Sequence, residues 1–346
     1  DTAVGVIVNE KFKVHSKKDV ILSAGAIGSP QIMLLSGLGP REELESVGIT
    51  CLKDMPHVGK HMEDHIASAL RFSSKGNKDI GSVNDKKAEG FPGAFFSLYD
   101  YIFKGQGILS SSSYDGTLFY RSSNPPSDPG PDIQIGVFCS PGNTGLFEGN
   151  LKYKDNYLLK QNELYDDSEG FLLVPTLLHL RSRGEVRLKS VDPLAAPLIE
   201  PNYFDNNEDI QSGIEMLRKC LEIVKQHPLS DMVNPEPILP LDMIKKHGSS
   251  ESDEFWEDFL RSYANTLYHP TSTLKIGKVV DERLRVYGIP NLRVIDASIM
   301  PHIISGNTNA PSIMIGEKGT DLIVEDYSLK QNVCNYDPPA KWLSFL

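Results

Sequence analysis

The chain has 346 residues, 40% of them hydrophobic and 23% charged, a globular composition long enough to bury a large core without metal or disulfide staples. Its formal net charge of -11 argues against a nucleic-acid partner, which selects a basic face, and no apolar run approaches the ~20 residues that span a bilayer. The four cysteines (Cys51, Cys139, Cys220, Cys334) lie far apart with no CxxC pair, which fits neither a zinc site nor a small disulfide scaffold and leaves a long-range disulfide open.

The chain opens without an initiator Met, a basic segment or an apolar leader, and runs at once from Asp1-Thr2 into the β-type stretch Ala3 to Val8. A fragment or a processed chain is the expectation. No Asn-x-Ser/Thr sequon is present to place it outside the cell. Residues 3–8 and 12–15 predict a hairpin with Glu10-Lys11 at its turn. Val20-Ile21-Leu22 predicts a short buried strand that breaks at Gly25. A helix follows from Ser29-Pro30 to Ser36, since Pro is tolerated in a first helical turn. Gly37 and Gly39 end it, and Pro40 starts a second helix through Val47 that Gly48 closes. Strand and helix thus alternate over residues 1–50, as in an α/β layer.

The character changes near residue 66. Residues 74–92 predict a polar surface loop, Phe95 to Phe103 an aromatic helix, and residues 121–131 a turn-rich connector. Strands are expected at Asp132–Phe138, Phe171–Leu178 and Gly184–Leu188. Ile210, Ile214, Leu217, Leu221 and Val224 keep helical spacing within a helix over 205–226, and a second helix covers 252–263. Leu292 to Ile295 predicts a strand ending at Asp296, Ser305 to Asn309 a small-residue turn, and Pro311 to Val324 a helix. The expected fold is α/β plus α+β. Residues 1–65 and 285–330 form part of a doubly wound domain, residues 66–284 are an inserted mixed antiparallel-sheet domain, and residues 331–346 are a C-terminal tail.

Four segments carry candidate chemistry. Gly25 to Pro30 joins a strand to a helix through small residues, which lets a backbone or a planar ligand approach closely, or serves as a plain turn. Asp296 sits at the carboxyl edge of an α/β strand, where ligands bind in such sheets, although Asp also favours helix N-caps. Ser305 to Pro311 offers backbone amides at the start of the last helix, where the macrodipole favours negative charge. Tyr268-His269-Pro270 sets a histidine, the usual general base near neutral pH, in a polar-aromatic cluster. His57, His61 and His65 repeat every four residues, but Pro56 and Gly59 argue against the helix that a metal face would need.

Together these segments resemble the glucose-methanol-choline (GMC) oxidoreductases, insect glucose dehydrogenase-like members above all. Gly25 to Gly39 is similar to the family's second signature and Val58-Gly59-Lys60-His61-Met62-Glu63-Asp64-His65 to its VGxxLxDH segment. Leu180-Arg181-Ser182-Arg183-Gly184 resembles its PxSRG element, and Tyr268-His269-Pro270, Leu292 to Ser298, Gly306 to Pro311 and Gly316 to Gly319 complete the pattern from about residue 1 to 325. The resemblance implies FAD as cofactor, an alcohol or sugar as substrate, oxygen or a quinone as electron acceptor, and an extracellular location. It implies His269 as the base that takes the hydroxyl proton while a hydride passes to flavin N5, and Asn307 as the group that holds the substrate oxygen. Asp296 and Ala297 would meet the ribityl-pyrophosphate region, and Asn309, Ala310 and Pro311 the isoalloxazine edge.

Two departures stand out. The family pattern HPVGTCKMG reads here as His269-Pro270-Thr271-Ser272-Thr273-Leu274-Lys275-Ile276-Gly277, with Ser272 where the family has Gly. The strand–GxGxxG–helix unit that grips the pyrophosphate is not among these 346 residues, so a preceding segment is an implied partner. Without it, residues 4–8 and 20–22 are expected to lack sheet partners and the chain to hold FAD poorly. A lyase with structural flavin and a non-catalytic family copy are the alternative readings.

Overall fold

The computed structural model describes residues 2–9, 11–75, 92–110, 114–126, 130–138 and 170–328. The tail 331–346, most of the 74–92 loop and part of the 121–131 connector lie outside the described residues. Two hydrophobic cores organise what remains.

The first core belongs to the two ends of the chain. Val20–Leu22 pairs in parallel with Ile289–Val294, with Val20 opposite Leu292, and Arg285–Val286 adds an antiparallel edge. Val20, Leu22, Met33, Leu34, Val58, Leu274, Val280, Val294 and Leu322 share this core, so residues 274–284 pack with the terminal segments. Val20–Leu22 is therefore not an unpaired strand, contrary to expectation. Among the described residues the Gly5–Val8 and Phe12–His15 hairpin pairs only with itself, and Val4, Val6, Ile7, Val8 and Val14 are exposed. Arg293, only 1% exposed, ties the ends together: it donates to Asp19 at 2.5 Å, to Asp326 at 2.5 Å and to the Arg283 carbonyl at 2.9 Å. A buried cation with this many acceptors is compensated, and removing one partner is the costly change.

The helix expected from Ser29 starts earlier, at Gly25, and runs to Leu35 with Pro30 inside it. Proline lacks the N–H that would bond to the carbonyl four residues back. That carbonyl belongs to Ala26, and the buried Thr273 hydroxyl donates to it at 2.7 Å. A side chain distant in sequence thus supplies the missing donor, which is why the helix continues through the proline.

The second core sits under an antiparallel sheet. Its strand order is Asn265–Thr266, Ile66–Ala67, Gly170–Leu177, Ile133–Phe138 and Tyr114–Tyr120, with Leu70–Ser73 also on Gly170–Leu177. Two amphipathic helices cover it. Asn207–Val224 is capped by Asn206, whose side chain accepts from the Glu208 amide at 2.8 Å, and buries Ile210, Ile214, Leu217, Cys220 and Val224 on one face. Asp253–Tyr263 is capped by Ser252 and buries Phe255, Trp256, Phe259, Leu260 and Tyr263. The Phe255 and Trp256 rings meet edge-on at 5.0 Å, the favourable aromatic geometry. Cys51 and Cys220 are free thiols; Cys139 and Cys334 lie outside the described residues.

The aromatic helix forms as Gly93–Tyr99 and continues as a wider turn over Asp100–Lys104, with no buried residue. No helix among the described residues is long and apolar enough to cross a membrane.

Candidate active site

The stretch 271–276 runs between the two cores as an irregular segment, bonded on both sides. Thr271 exchanges backbone hydrogen bonds with Glu63, at 2.8 and 3.2 Å, and the Gly59 amide donates to the Thr273 carbonyl at 2.9 Å. On the other side, the amides of Ser272, Leu274 and Ile276 donate to the carbonyls of Ala297, Ser298 and Ile299. The VGxxLxDH segment and the residues after Asp296 are thereby held in register around the segment that follows His269.

Asp64, 5% exposed, fixes the approach to that histidine. One carboxylate oxygen accepts from the backbone amides of His65 at 2.8 Å and His269 at 3.0 Å. The other accepts from the Tyr203 and Thr266 hydroxyls, each at 2.5 Å. Burial and the adjacent Asp64 carboxylate push the Tyr203 phenol well up, so it stays a donor.

The imidazoles of His65 and His269 meet edge-on, Nδ1 to Nδ1 at 2.8 Å. The other nitrogen of His65, Nε2, lies 3.0 Å from the Ile304 carbonyl oxygen. Burial, together with the nearby His269 and His179 rings, pushes His65 down to about 3, so it is neutral near pH 7. Burial also lowers His269, although the Asp64 carboxylate pulls it the other way. His269 is half-buried.

His65 therefore joins His269 to the turn that carries Asn307, three residues beyond Ile304. Nearby, His179 Nε2 and the Ser305 hydroxyl lie 2.7 Å apart. Asn307 is exposed, and among the described residues its carboxamide has no hydrogen-bond partner. The helix Asn309–Asp326 starts immediately after, capped at Thr308 without a side-chain bond. Its Asn309 and Ala310 amides have no acceptor within the helix, and Pro311 carries none. Asn309 and Ala310 are exposed, as are Ile313 and Met314 one turn on.

Asp296 behaves differently from an open ligand group. One oxygen accepts from the Ser298 amide at 2.8 Å and hydroxyl at 2.5 Å; the other accepts from the Gly25 amide at 3.0 Å and the Ser29 hydroxyl at 2.5 Å. The carboxylate caps the Ala297–Ile299 turn and pins the start of the Gly25–Leu35 helix to the end of the Ile289–Val294 strand. Its four acceptor positions are taken by protein donors, and the half-buried Ala297 stands beside it.

Glu63, 5% exposed, completes the cluster. Burial would raise its carboxyl, but Arg183, Lys275 at 2.6 Å and the Ile303 amide at 3.1 Å outweigh that and hold it below the usual range. The PxSRG-like element is pinned in turn by Asp209, which accepts from the Arg181 amide at 2.7 Å and from the Ser182 amide and hydroxyl at 2.8 and 2.6 Å.

Three non-glycine residues around His269 hold left-handed backbone: His61, Tyr268 and Ser272, with φ of 64°, 61° and 74°. Such strain concentrates where surrounding structure over-determines a site. Ser272 is fully buried at the position where glycine was expected. His57 and His61 face each other at 3.1 Å, but no group of three or more potential ligands among the described residues is placed to hold a metal ion.

The signals for His65, Asp64 and Glu63 were present in the sequence within residues 58–65. Spacing alone shows only that they are neighbours. Their convergence on the segment around His269, 204 positions beyond His65, comes from the fold.

Comparisons with known proteins place the chain in a family. Family models described as GMC oxidoreductase match residues 2–67 and 181–316. An alcohol dehydrogenase [acceptor] of Pseudomonas putida is 34% identical over 326 residues, 92% of this chain and 53% of that protein. Glucose dehydrogenase [FAD, quinone] of Drosophila melanogaster is 31% identical over 341 residues, 94% of this chain and 51% of that protein. A formate oxidase structure from Aspergillus oryzae RIB40, solved to study FAD modification, superimposes with a TM-score of 0.76 at 26% identity, over 91% of this chain and 56% of that one. The chain spans about half the length of the curated relatives it matches. With both family models matched and the fold shared, this chain belongs to the GMC oxidoreductase family.

Proposed function

We propose that the protein is an FAD-dependent oxidoreductase that acts on the CH–OH group of an alcohol or sugar, with His269 as general base. What carries this reading is one observation: a neutral, half-buried imidazole, held by Asp64 and His65, beside a turn that offers a carboxamide at Asn307 without a partner among the described residues. A base must be neutral to accept a proton, and burial keeps His269 so at neutral pH.

FAD, when bound, supplies the hydride-accepting centre. The residues available to hold it fit that role in part. The Asn309 and Ala310 amides form a positive helix end suited to a polar ring edge that gains negative charge. A Cβ added at Gly25 or Gly316 would meet nothing within 4 Å, which leaves open surface on the same architecture. Ala297, Asn309, Ala310 and Pro311 would line the cofactor, while Asp296, with its oxygens occupied, would shape the site from behind.

Within the site, Asn307 would hold the substrate oxygen and His269 would take the hydroxyl proton. Positioning and base catalysis are the two demands this chain must meet.

The test is His269→Ala, with flavin content and the rate of flavin bleaching by alcohols measured on the same protein. Flavin content should stay unchanged while bleaching slows by about 10²–10⁴-fold. An unchanged bleaching rate would remove His269 from the chemistry.

A further inference from the structure

We infer that His65 is a positioning residue: by accepting a hydrogen bond from His269 Nδ1–H, it fixes the tautomer of His269 and leaves the Nε2 lone pair as the proton acceptor. This deepens the general-base reading of His269 and rests on it for its functional meaning, but the tautomer itself is a property of the two rings.

The steps follow from donors and acceptors alone. A backbone carbonyl can only accept, so the 3.0 Å contact between His65 Nε2 and the Ile304 oxygen places a proton on Nε2. A second proton, on Nδ1, would make His65 a cation. Its ring is fully buried, and its hydrogen bonds reach no carboxylate: the Asp64 oxygen nearby accepts the backbone amide instead. A cation in such a place is strongly disfavoured. His65 Nδ1 is therefore bare and can only accept.

That nitrogen lies 2.8 Å from His269 Nδ1, too close for two bare lone pairs, so the proton between them belongs to His269. A neutral imidazole carries one N–H. With it on Nδ1, His269 Nε2 is unprotonated and free to receive a proton.

The same contact orients the ring. Asp64 sets the backbone of both histidines through one oxygen, and the edge-on packing at 5.0 Å between ring centroids fixes the rotation about the side-chain bonds. His65 thus supplies to His269 what an orienting partner supplies to any catalytic imidazole: one tautomer and one direction. It does so with a neutral acceptor, so it holds the ring without raising its basicity as a carboxylate would.

The experiment is long-range proton–nitrogen NMR on the chain labelled with 15N-histidine, with and without added FAD. Each ring nitrogen reports whether it carries a proton, and His269→Ala and His65→Leu assign the two rings. The expected result is Nδ1–H with bare Nε2 for His269, and Nε2–H with bare Nδ1 for His65. His269 protonated on Nε2 in the unsubstituted chain overturns the inference.

Two variants then read the consequence. His65→Gln keeps an oxygen to accept from His269 and an amide to donate to Ile304, so it should preserve the His269 tautomer and most of the flavin-bleaching rate. His65→Leu fills the space but removes the acceptor. It should redistribute the His269 proton and slow bleaching by about 10- to 10²-fold, less than loss of the base itself. Equal rates in the Leu and Gln variants, both folded, would also overturn it. The two readings fail separately. The expected tautomer with an innocuous His269→Ala sinks the base, whereas the opposite tautomer with a crippling His269→Ala sinks the role of His65.

Discussion

Replacing Asp64 by Ala strands four donors at once, and its cost can be worked from their partners. The carboxylate accepts two backbone amides, those of His65 and His269, and two hydroxyls, those of Tyr203 and Thr266. A buried donor left without an acceptor costs about 1–3 kcal/mol. The hydroxyls can rotate toward other acceptors, but the amides cannot, so the two amides set a floor of roughly 2–6 kcal/mol and a central expectation of about 4 kcal/mol. Against a typical stability of about 5–15 kcal/mol, that is a large fraction. Asp64→Asn is the sharper control. Its oxygen still accepts both amides, and its NH₂ donates to hydroxyl oxygens that can turn to accept. Only the charge assistance is lost, about 1–2 kcal/mol. Urea unfolding followed by far-ultraviolet circular dichroism measures both. An Ala variant within 1 kcal/mol of the parent (~1 kcal/mol being the smallest single-donor cost), or an Asn variant as costly as Ala, would refute the reasoning.

Two further outcomes follow from the same cluster. His65 falls from 6.5 to about 3 on folding, so below 6.5 the unfolded chain takes up a proton that the folded one refuses. Stability is then full above pH 6.5 and declines as the pH drops toward 3, by about 1.4 kcal/mol per pH unit from this residue alone. The lowered His269 and Glu63 act in the same direction. Urea midpoints between pH 7 and 4 should fall steeply in the parent and less steeply in His65→Gln, and equal slopes would contradict the assignment (both being the pH range over which a free imidazole, ~6.5, charges). Ser272 holds a left-handed φ of 74° that a Cβ disfavours. Ser272→Gly should therefore raise the thermal midpoint, with a gain of about 1 kcal/mol reduced by the entropy of a freer unfolded chain; a lower midpoint would mean that the contact of its hydroxyl with Thr271, at 3.1 Å, outweighs the strain.

Much of the fold was legible from periodicity. The spacing of Ile210, Ile214, Leu217 and Val224 marks one helix, and a second is expected over 252–263; the structure contains both within two residues of their expected ends. The early start of the Gly25–Leu35 helix was not legible, because Pro30 is a local breaker and its remedy, the Thr273 hydroxyl, comes from the far end of the chain. The two-residue strands Ile66–Ala67 and Asn265–Thr266 have no pattern to detect; the first exists because Leu177 and Thr176 are there to pair with, and the second because Ile66–Ala67 then offers its other edge. For the site, motifs assigned roles to His269 and Asn307, whereas His65, although it closes the VGxxLxDH segment, received none. A histidine's role depends on what each ring nitrogen faces, and the Ile304 carbonyl and His269 ring that decide it are supplied by segments more than 200 residues away.

The passage from one core to the other has a mechanical consequence. Tyr263 is seated in the sheet-and-helix core and Leu274 in the core of the terminal segments, and His269 lies about midway along the segment that links them. A small shear of the two bodies would leave each interior intact yet swing the imidazole, because its anchors, Asp64 and His65, lie on a second segment that also passes between the cores, from Val58 to Ile66. Alignment of the proton acceptor is thus geared to the relative seating of two independently packed masses, and a substitution deep in either one could detune the chemistry without touching it.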